Sequence, residues 1–460
     1  MAAGAQGFGD AEQFARASGQ LLAGLVNLGR HTITGALSTA GLQQQDWSAS
    51  YRRLQRLPVA PMFTAIRQQT RDCQGAGAPW IVAVDDSIVR KSGRRIPACG
   101  WRRDPLSPAF AVNFIWGQRV LQCSAAIPHA DGSARLVPVD FRQAPLPRKP
   151  GRGADALQQG AYREACKQAN LNRVTAQVLA ELTQEAGPRS VHFVVDGRFT
   201  NKTLLRRLPA GAVLIGRIRK DSVVYARPDA PNTRGRPRRY GTVLPTPEAL
   251  RVDDTRPWQS VRAWAVDGPH EFRIKTLGPV RSRLTGVKRD VRVVVIAPVG
   301  YRLRRGSKLL YRKPAYLLCT DPALSVETLL QEYLWRWEIE VNFRDEKTLL
   351  GVGEAQVRHP RSVDAQPAAS VAAYAWLLLA AHHAFPHPPL PGLVPLPKWR
   401  RRHPPRRPST AALINHLRAE LWAHALKPEI LSHFRSASPL DQNRNLITRS
   451  LASAVFYAHN

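Results

Sequence analysis

Two short runs constrain this chain more than anything else in it. Trp80-Ile81-Val82-Ala83-Val84 and Val191-His192-Phe193-Val194-Val195 are nearly continuous apolar stretches, and each stops abruptly in carboxylates, Asp85-Asp86-Ser87 and Asp196-Gly197. A run without polar alternation has no face to give to water, so both read as strands covered on both sides. Between them lie strand-like runs, Phe110 to Trp116 and Val120 to Ile127, then a charged helix from about Leu157 to Glu185. The order suits a mixed α/β sheet with carboxylates at strand ends.

Charge narrows the partner. Apolar residues make up 44% of the 460 residues and charged ones 22%, which excludes wholesale disorder, yet the net charge is +33. That balance points to a polyanion, most simply double-stranded DNA. An acidic membrane surface is the competing partner, disfavoured because no lipidation signal or basic amphipathic anchor opens the chain. The most apolar window, Ala368 to Ala381, is shorter than the ~20 residues a bilayer needs and reads as a buried helix. The five scattered cysteines (Cys73, Cys99, Cys123, Cys166, Cys319) contain no Cys-x-x-Cys pair. A disulfide framework and a zinc ribbon are both disfavoured, and a reducing cytoplasm is the expected compartment.

The chain divides into expected segments. Residues 1–75 form a helical module with Gly-broken short helices, suited to helix-turn-helix DNA binding with Arg30, Arg52, Arg53 and Arg56 on phosphates, or to simple packing on the next unit. Residues 76–203 and 324–385 are two parts of an α/β core. Short β-branched runs separated by Arg, Gly and Pro make 204–323 a β-rich insertion. Residues 386–408 read as a Pro-rich basic linker, and 409–460 as a C-terminal helical region.

Chemistry concentrates on the helix expected from Ser325 to about Leu350. Counting from Tyr333 at ~100° per residue, Arg336, Glu340 and Lys347 fall near ~300°, ~340° and ~320°, within one ~60° sector. A generic helix of this kind is a solvated charged face. With two strands ending in Asp, the same face can place a Glu beside those carboxylates and cations beside phosphates, and phosphodiester cleavage calls for carboxylates bridging two Mg²⁺ ions ~3.5–4 Å apart.

The spacing Tyr-x2-Arg-x3-Glu-x6-Lys, met by Tyr333, Arg336, Glu340 and Lys347, resembles the signature of bacterial insertion-sequence transposases of the DDE type. Asp85-Asp86-Ser87 looks like that group's first Asp motif and Val194-Val195-Asp196-Gly197 like its second, with a β-rich insertion before the Glu. The resemblance implies an RNase H-like catalytic fold, DNA strand cleavage and transfer with two Mg²⁺ (or Mn²⁺) per site, synapsis of transposon ends by a homodimer or larger assembly, and a cytoplasmic, nucleoid-associated protein. It makes Asp86, Asp196 and Glu340 the metal ligands, with Tyr333, Arg336 and Lys347 on the DNA. Asp85 stays in contention with Asp86, because alternation lets only one of them face the metals; Asp86, followed by the hydroxyl of Ser87, is favoured.

Arg234-Gly235-Arg236-Pro237 resembles an AT-hook core, with Arg234 and Arg236 in an A·T-rich minor groove or simply on phosphates. Trp335 and Trp337 invite a base-stacking reading but are expected to pack in the core. His382, His383, His387, His403 and His416 lack metal-ligand spacing and read as surface residues. Two other functions stay in view, a non-catalytic transposase-derived DNA-binding regulator and a nuclease of the same fold without strand transfer.

Overall fold

A computed structural model of the chain describes residues 7–75, 77–104, 107–108, 110–228, 238–265, 268–304, 306–385 and 405–423. Four helices come first: α1 (Ala11–Val26), α2 (Ile33–Thr39), α3 (Ser48–Gln55) and α4 (Val59–Asp72). Asp10 and Thr32 cap the first two through their side chains, as short polar residues do at helix starts. Strands β1 (Trp80–Arg90), β2 (Gly100–Arg103), β3 (Phe114–Pro128) and β4 (Ala134–Gln143) follow, then helices α5 (Ala156–Gln168) and α6 (Leu171–Ala186) and strand β5 (Val191–Val195). The two strand-like runs expected at 110–127 are one long strand, β3. The single charged helix expected at 157–185 is two, because Asn170 turns its side chain onto the N–H groups of Asn172 and Arg173 and starts a new helix.

The rest runs α7 (Lys202–Leu205), β6 (Ala212–Arg217), β7 (Val224–Tyr225), α8 (Pro247–Val252), β8 (Gln259–Ala265), β9 (Gly268–Ser282), β10 (Gly286–Ile296), β11 (Gly300–Tyr301), β12 (Leu310–Tyr311) and β13 (Ala315–Cys319). It ends with α9 (Val326–Trp335), α10 (Glu338–Thr348), α11 (Pro360–Ala384) and α12 (Thr410–Ala423). Eleven strands share one mixed sheet in the order β2-β3-β1-β5-β6-β13-β10-β9-β7, with β4 also on β3 and β8 on β9. Strands β1, β5 and β6 run parallel, and the pairs β1–β3, β3–β4 and β6–β13 antiparallel. The expectation of a mixed α/β sheet holds, and the β-rich stretch joins it as strands of the same sheet through β6 and β13.

The two faces of the sheet bury different elements. Val82, Val84, Phe193 and Val195 pack with residues of α4, α6 and α11; Ile81, Ala83, Val194 and Ile215 pack with Leu329, Leu330, Ile339 and Phe343 of α9 and α10. Both strand runs are thus covered on both sides, as their unbroken apolar sequence requires. The window at 368–381 lies inside α11, whose side chains are buried around most of its circumference. Among the described residues no helix is long and apolar enough to cross a membrane. The N-terminal helices pack against α11, and Ile33, Leu37 and Leu54 meet Ala355 beyond α10.

Candidate active site

The alternation along β1 decides which acidic side chain looks where. Ile81 and Ala83 face α9 and α10, and Asp85 continues that series; Val82 and Val84 face the opposite layer, and Asp86 continues theirs. Cross-strand partners agree. Opposite Asp85 on β3 is Gln122, whose Nε2 donates to Glu346 Oε1 of α10 at 2.8 Å; opposite Asp86 is Leu121, buried in the other layer. Ser87, next on Asp85's face, accepts a 2.6 Å hydrogen bond from Lys347 Nζ. Helix α10 therefore runs across the side of β1 that carries Asp85.

Asp196 follows Val195 at the end of the adjacent parallel strand. Its Oδ1 accepts the backbone N–H groups of Arg198 (2.8 Å) and Phe199 (3.3 Å), a local turn of the kind Asp favours, which fixes the carboxylate where β5 ends. Burial pushes the Asp85 carboxyl up to about 7, and the negative charge of Asp196 pushes the same way; Arg336 opposes them and Glu340 adds a smaller repulsion. Carboxylates from β1, β5 and α10 thus feel one another at this sheet end.

Arg336 stands between them. Its Nη1 lies 3.5 Å from Asp85 Oδ2 and 4.0 Å from Glu340 Oε1, while its side chain is only 13% exposed. These are ion-pair distances without hydrogen bonds: Nε and Nη1 are buried and make none. Tyr333 is half-buried below, its ring centroid 5.9 Å from the guanidinium carbon. The long helix expected here is two helices. Arg336, Trp337, Ile339 and Glu340 bond three residues back, Trp337 N–H to Leu334 and Glu340 N–H to Trp337, which tightens one turn into 3₁₀ geometry without leaving helical dihedrals. Arg336, Glu340 and Lys347 still reach the same side of β1.

Asp86, the residue favoured from the sequence, stands on the other face of β1. Both of its oxygens accept from Arg198 Nη1, at 2.8 and 2.9 Å; burial raises its carboxyl above the ordinary value, against the opposing pull of Arg198 and Arg119. Asp86 ties the end of β1 to the turn after β5 and faces away from α10. Arg198 was missed in the sequence, although it stands two residues beyond Asp196. Gln122 and Glu346 were missed too, since a buried Gln and a Glu inside a charged helix carry no signal until strand register joins them. Burial pushes Glu346 up to about 8. Trp335 packs, its indole N–H bonded to Gly132 O at 2.9 Å, whereas Trp337 is 62% exposed and departs from the core packing expected of it. Arg234 and Arg236, with His387 and His403, lie outside the described residues.

Among the described residues no three His, Cys, Asp or Glu side chains are grouped closely enough to hold a metal ion. The donors at the sheet end nevertheless have the chemistry of a hard-cation site: carboxylate oxygens on neighbouring strands that repel each other, with Glu340 beside them and only a guanidinium lacking hydrogen bonds at its Nε and Nη1 placed between.

The model of the family described as DDE superfamily endonuclease matches residues 5–268, and the chain belongs to that family. Members typically use divalent metal ions, and membership supports a nuclease or transposase activity for this chain. The matched region holds Asp85, Asp86 and Asp196 and ends before Tyr333, Arg336, Glu340 and Lys347. No curated protein matches the sequence.

Proposed function

We propose that the chain is a transposase that binds transposon ends and catalyses DNA strand cleavage and strand transfer, with Asp85, Asp196 and Glu340 as the acidic triad. The observation that carries this reading is the buried Arg336 guanidinium between Asp85 and Glu340, with Nε and Nη1 that no protein acceptor satisfies. A guanidinium held between two carboxylates marks where negative charge converges, and its charge suits a phosphate brought to the same place. The strands β4, β3, β1, β5 and β6 form the RNase H-like core, interrupted by the β-rich stretch that follows β6 and precedes Glu340.

Asp85, Asp196 and Glu340 would hold two Mg²⁺ ions, or Mn²⁺ in their place. Such a pair supplies activation of the attacking hydroxyl or water and stabilisation of the leaving 3′-oxygen. The chain's own groups do the rest. Arg336 holds its positive charge between Asp85 and Glu340 where the phosphate would come, Lys347 places a second cation beside Ser87, and the Tyr333 ring lies beside the guanidinium. Asp86 and Arg198 hold the ends of β1 and β5 together so that Asp85 and Asp196 stay adjacent. The N-terminal helices and Arg234 and Arg236 add duplex contacts, and a homodimer brings two ends together.

Supercoiled plasmid carrying the DNA that flanks this gene is the test substrate. Wild-type protein with Mg²⁺ should nick and linearise it and yield joined products, while Glu340→Ala should bind it and leave it intact. Cleavage without joining would favour the nuclease, and binding without cleavage the regulator. Normal cleavage by Glu340→Ala would remove the assignment.

A further inference from the structure

An aromatic and cationic surface lies outside the carboxylate site. Strands β2 and β3 extend past the end of β1 as a hairpin, with Trp101 opposite Trp116 and Arg103 opposite Phe114. Opposed residues and every second neighbour share a face, so these four side chains stand together. Trp101 and Phe114 are each 57% exposed, and Trp101 meets Trp116 edge to face at 5.7 Å. The Arg94 guanidinium sits 4.6 Å from the Trp101 ring and 4.8 Å from the Trp116 ring. Arg95 and Arg103 are exposed alongside.

The face is continuous with the site. Counting back along β3 in twos from Gln122, the residue opposite Asp85, gives Val120, Gln118, Trp116 and Phe114, so the rings occupy the sheet face of Asp85 and Ser87. At the rise of a strand Trp116 lies about 20 Å from Gln122. Exposed aromatic planes separated by arginines are poor protein core and poor duplex readers, but they match a strand whose bases are unpaired: rings stack on bases while guanidinium groups take the phosphates.

We infer that the β2–β3 hairpin is a binding platform for unpaired DNA, with Trp101 and Phe114 stacking on bases and Arg94, Arg95 and Arg103 holding phosphates of a strand running to or from the carboxylate site. The inference rests on the proposed DNA chemistry for its direction and adds the state of the substrate that the site takes. Charge complementarity names the occupant, since among the described residues this face offers Trp101, Phe114, Trp116, Arg94 and Arg103, while Asp104, next to Arg103, is paired with Arg90.

The test is fluorescence anisotropy of full-length protein with labelled oligo-dT and with a duplex, each of about 20 nucleotides. Stacking is worth roughly 1–3 kcal/mol per base, so Trp101→Ala and Phe114→Ala should each weaken oligo-dT binding ~5- to ~150-fold. Duplex binding should change much less, Trp101→Phe should keep most of the affinity, and Tyr311→Ala, an exposed aromatic on β12, should change nothing. Equal loss on both DNAs, unchanged oligo-dT affinity, or altered sedimentation with intact DNA binding would each overturn the platform. Plasmid cleavage separates the two ideas. Cleavage by the wild type with unaltered oligo-dT binding by Trp101→Ala sinks the platform alone; selective loss of oligo-dT binding in a protein that cleaves nothing sinks only the proposed reaction.

Discussion

Replacing Asp85 by Asn should stabilise the protein and abolish its reaction. The Asp85 carboxyl moves from its ordinary 3.8 to about 7 because it is buried and faces Asp196. At ~1.4 kcal/mol per tenfold change in acidity, holding its charge above neutral pH costs the fold about 4 kcal/mol at most. The sign follows from proton binding: the native state keeps a proton that the unfolded chain releases, so stability from this group is greatest below about 4, declines as the pH rises towards about 7, and is flat beyond. Asn keeps the shape without the charge but still buries an amide, so the retained gain is ~1–3 kcal/mol at pH ~8, shrinking to nothing near pH ~4. Urea unfolding at both pH values measures it. Burial raises the Asp86 carboxyl too, but Arg198 and Arg119 oppose it, so Asp86→Asn should change stability less than Asp85→Asn while retaining part of the cleavage activity. Mg²⁺ should raise the wild-type unfolding midpoint but not that of Asp85→Asn. If Asp85→Asn is destabilised at neutral pH, or cleaves plasmid while Asp86→Asn does not, Asp86 is the ligand after all.

Asp196→Ala should lower plasmid cleavage by a factor on the order of 10² or more with end binding intact; comparable loss of binding in gel shifts would make the residue structural. Lys91, whose Nζ donates to Gly353 O (3.0 Å) and Ala355 O (2.7 Å), anchors the loop after α10 to the end of β1. Lys91→Met should leave two carbonyls unsatisfied and cost ~1–3 kcal/mol in urea unfolding, and an unchanged midpoint would refute that anchoring. With a net charge of +33, log K for duplex should fall with log[salt] at roughly −0.9 per phosphate contacted, and a flat titration would contradict a phosphate-led interface. Arg234→Ala combined with Arg236→Ala should weaken A·T-rich duplex more than G·C-rich duplex; equal loss would leave phosphate contact alone.

What could be read in advance followed from period and composition. The runs ending in Asp85 and Asp196 are legible because a strand covered on both faces needs apolar residues at every position, and the faces of this sheet are indeed covered by different helices. The spacing from Arg336 to Lys347 survived the break in its helix because a single tightened turn shifts the angular positions by tens of degrees and leaves the residues on one side. Strand β4 had a weaker signal, since its sequence Ala-Arg-Leu-Val-Pro-Val-Asp-Phe-Arg-Gln carries a proline, and β3–β4 pairing shifts register nearby, between Cys123 and Ser124.

Alternation along β1 says that Asp85 and Asp86 diverge, but it cannot say which side the second carboxylate strand and the Glu-bearing helix occupy. That depends on a contact across more than two hundred residues, Gln122 to Glu346, and on Lys347 reaching Ser87. The first joins residues unremarkable in sequence, the second joins two that the sequence singled out without showing that they meet, and both place α10 over Asp85. The same step gives the second Asp a purpose. With Asp86 held by Arg198 beyond Asp196, the two parallel strand ends are clamped together, and burial first, then the charge of Asp196, raise the Asp85 carboxyl without prising the strands apart. An Asp86→Arg, Arg198→Asp double exchange isolates this clamp: it should recover cleavage lost in either single variant, and failure to recover would show that Asp86 acts on the reaction itself.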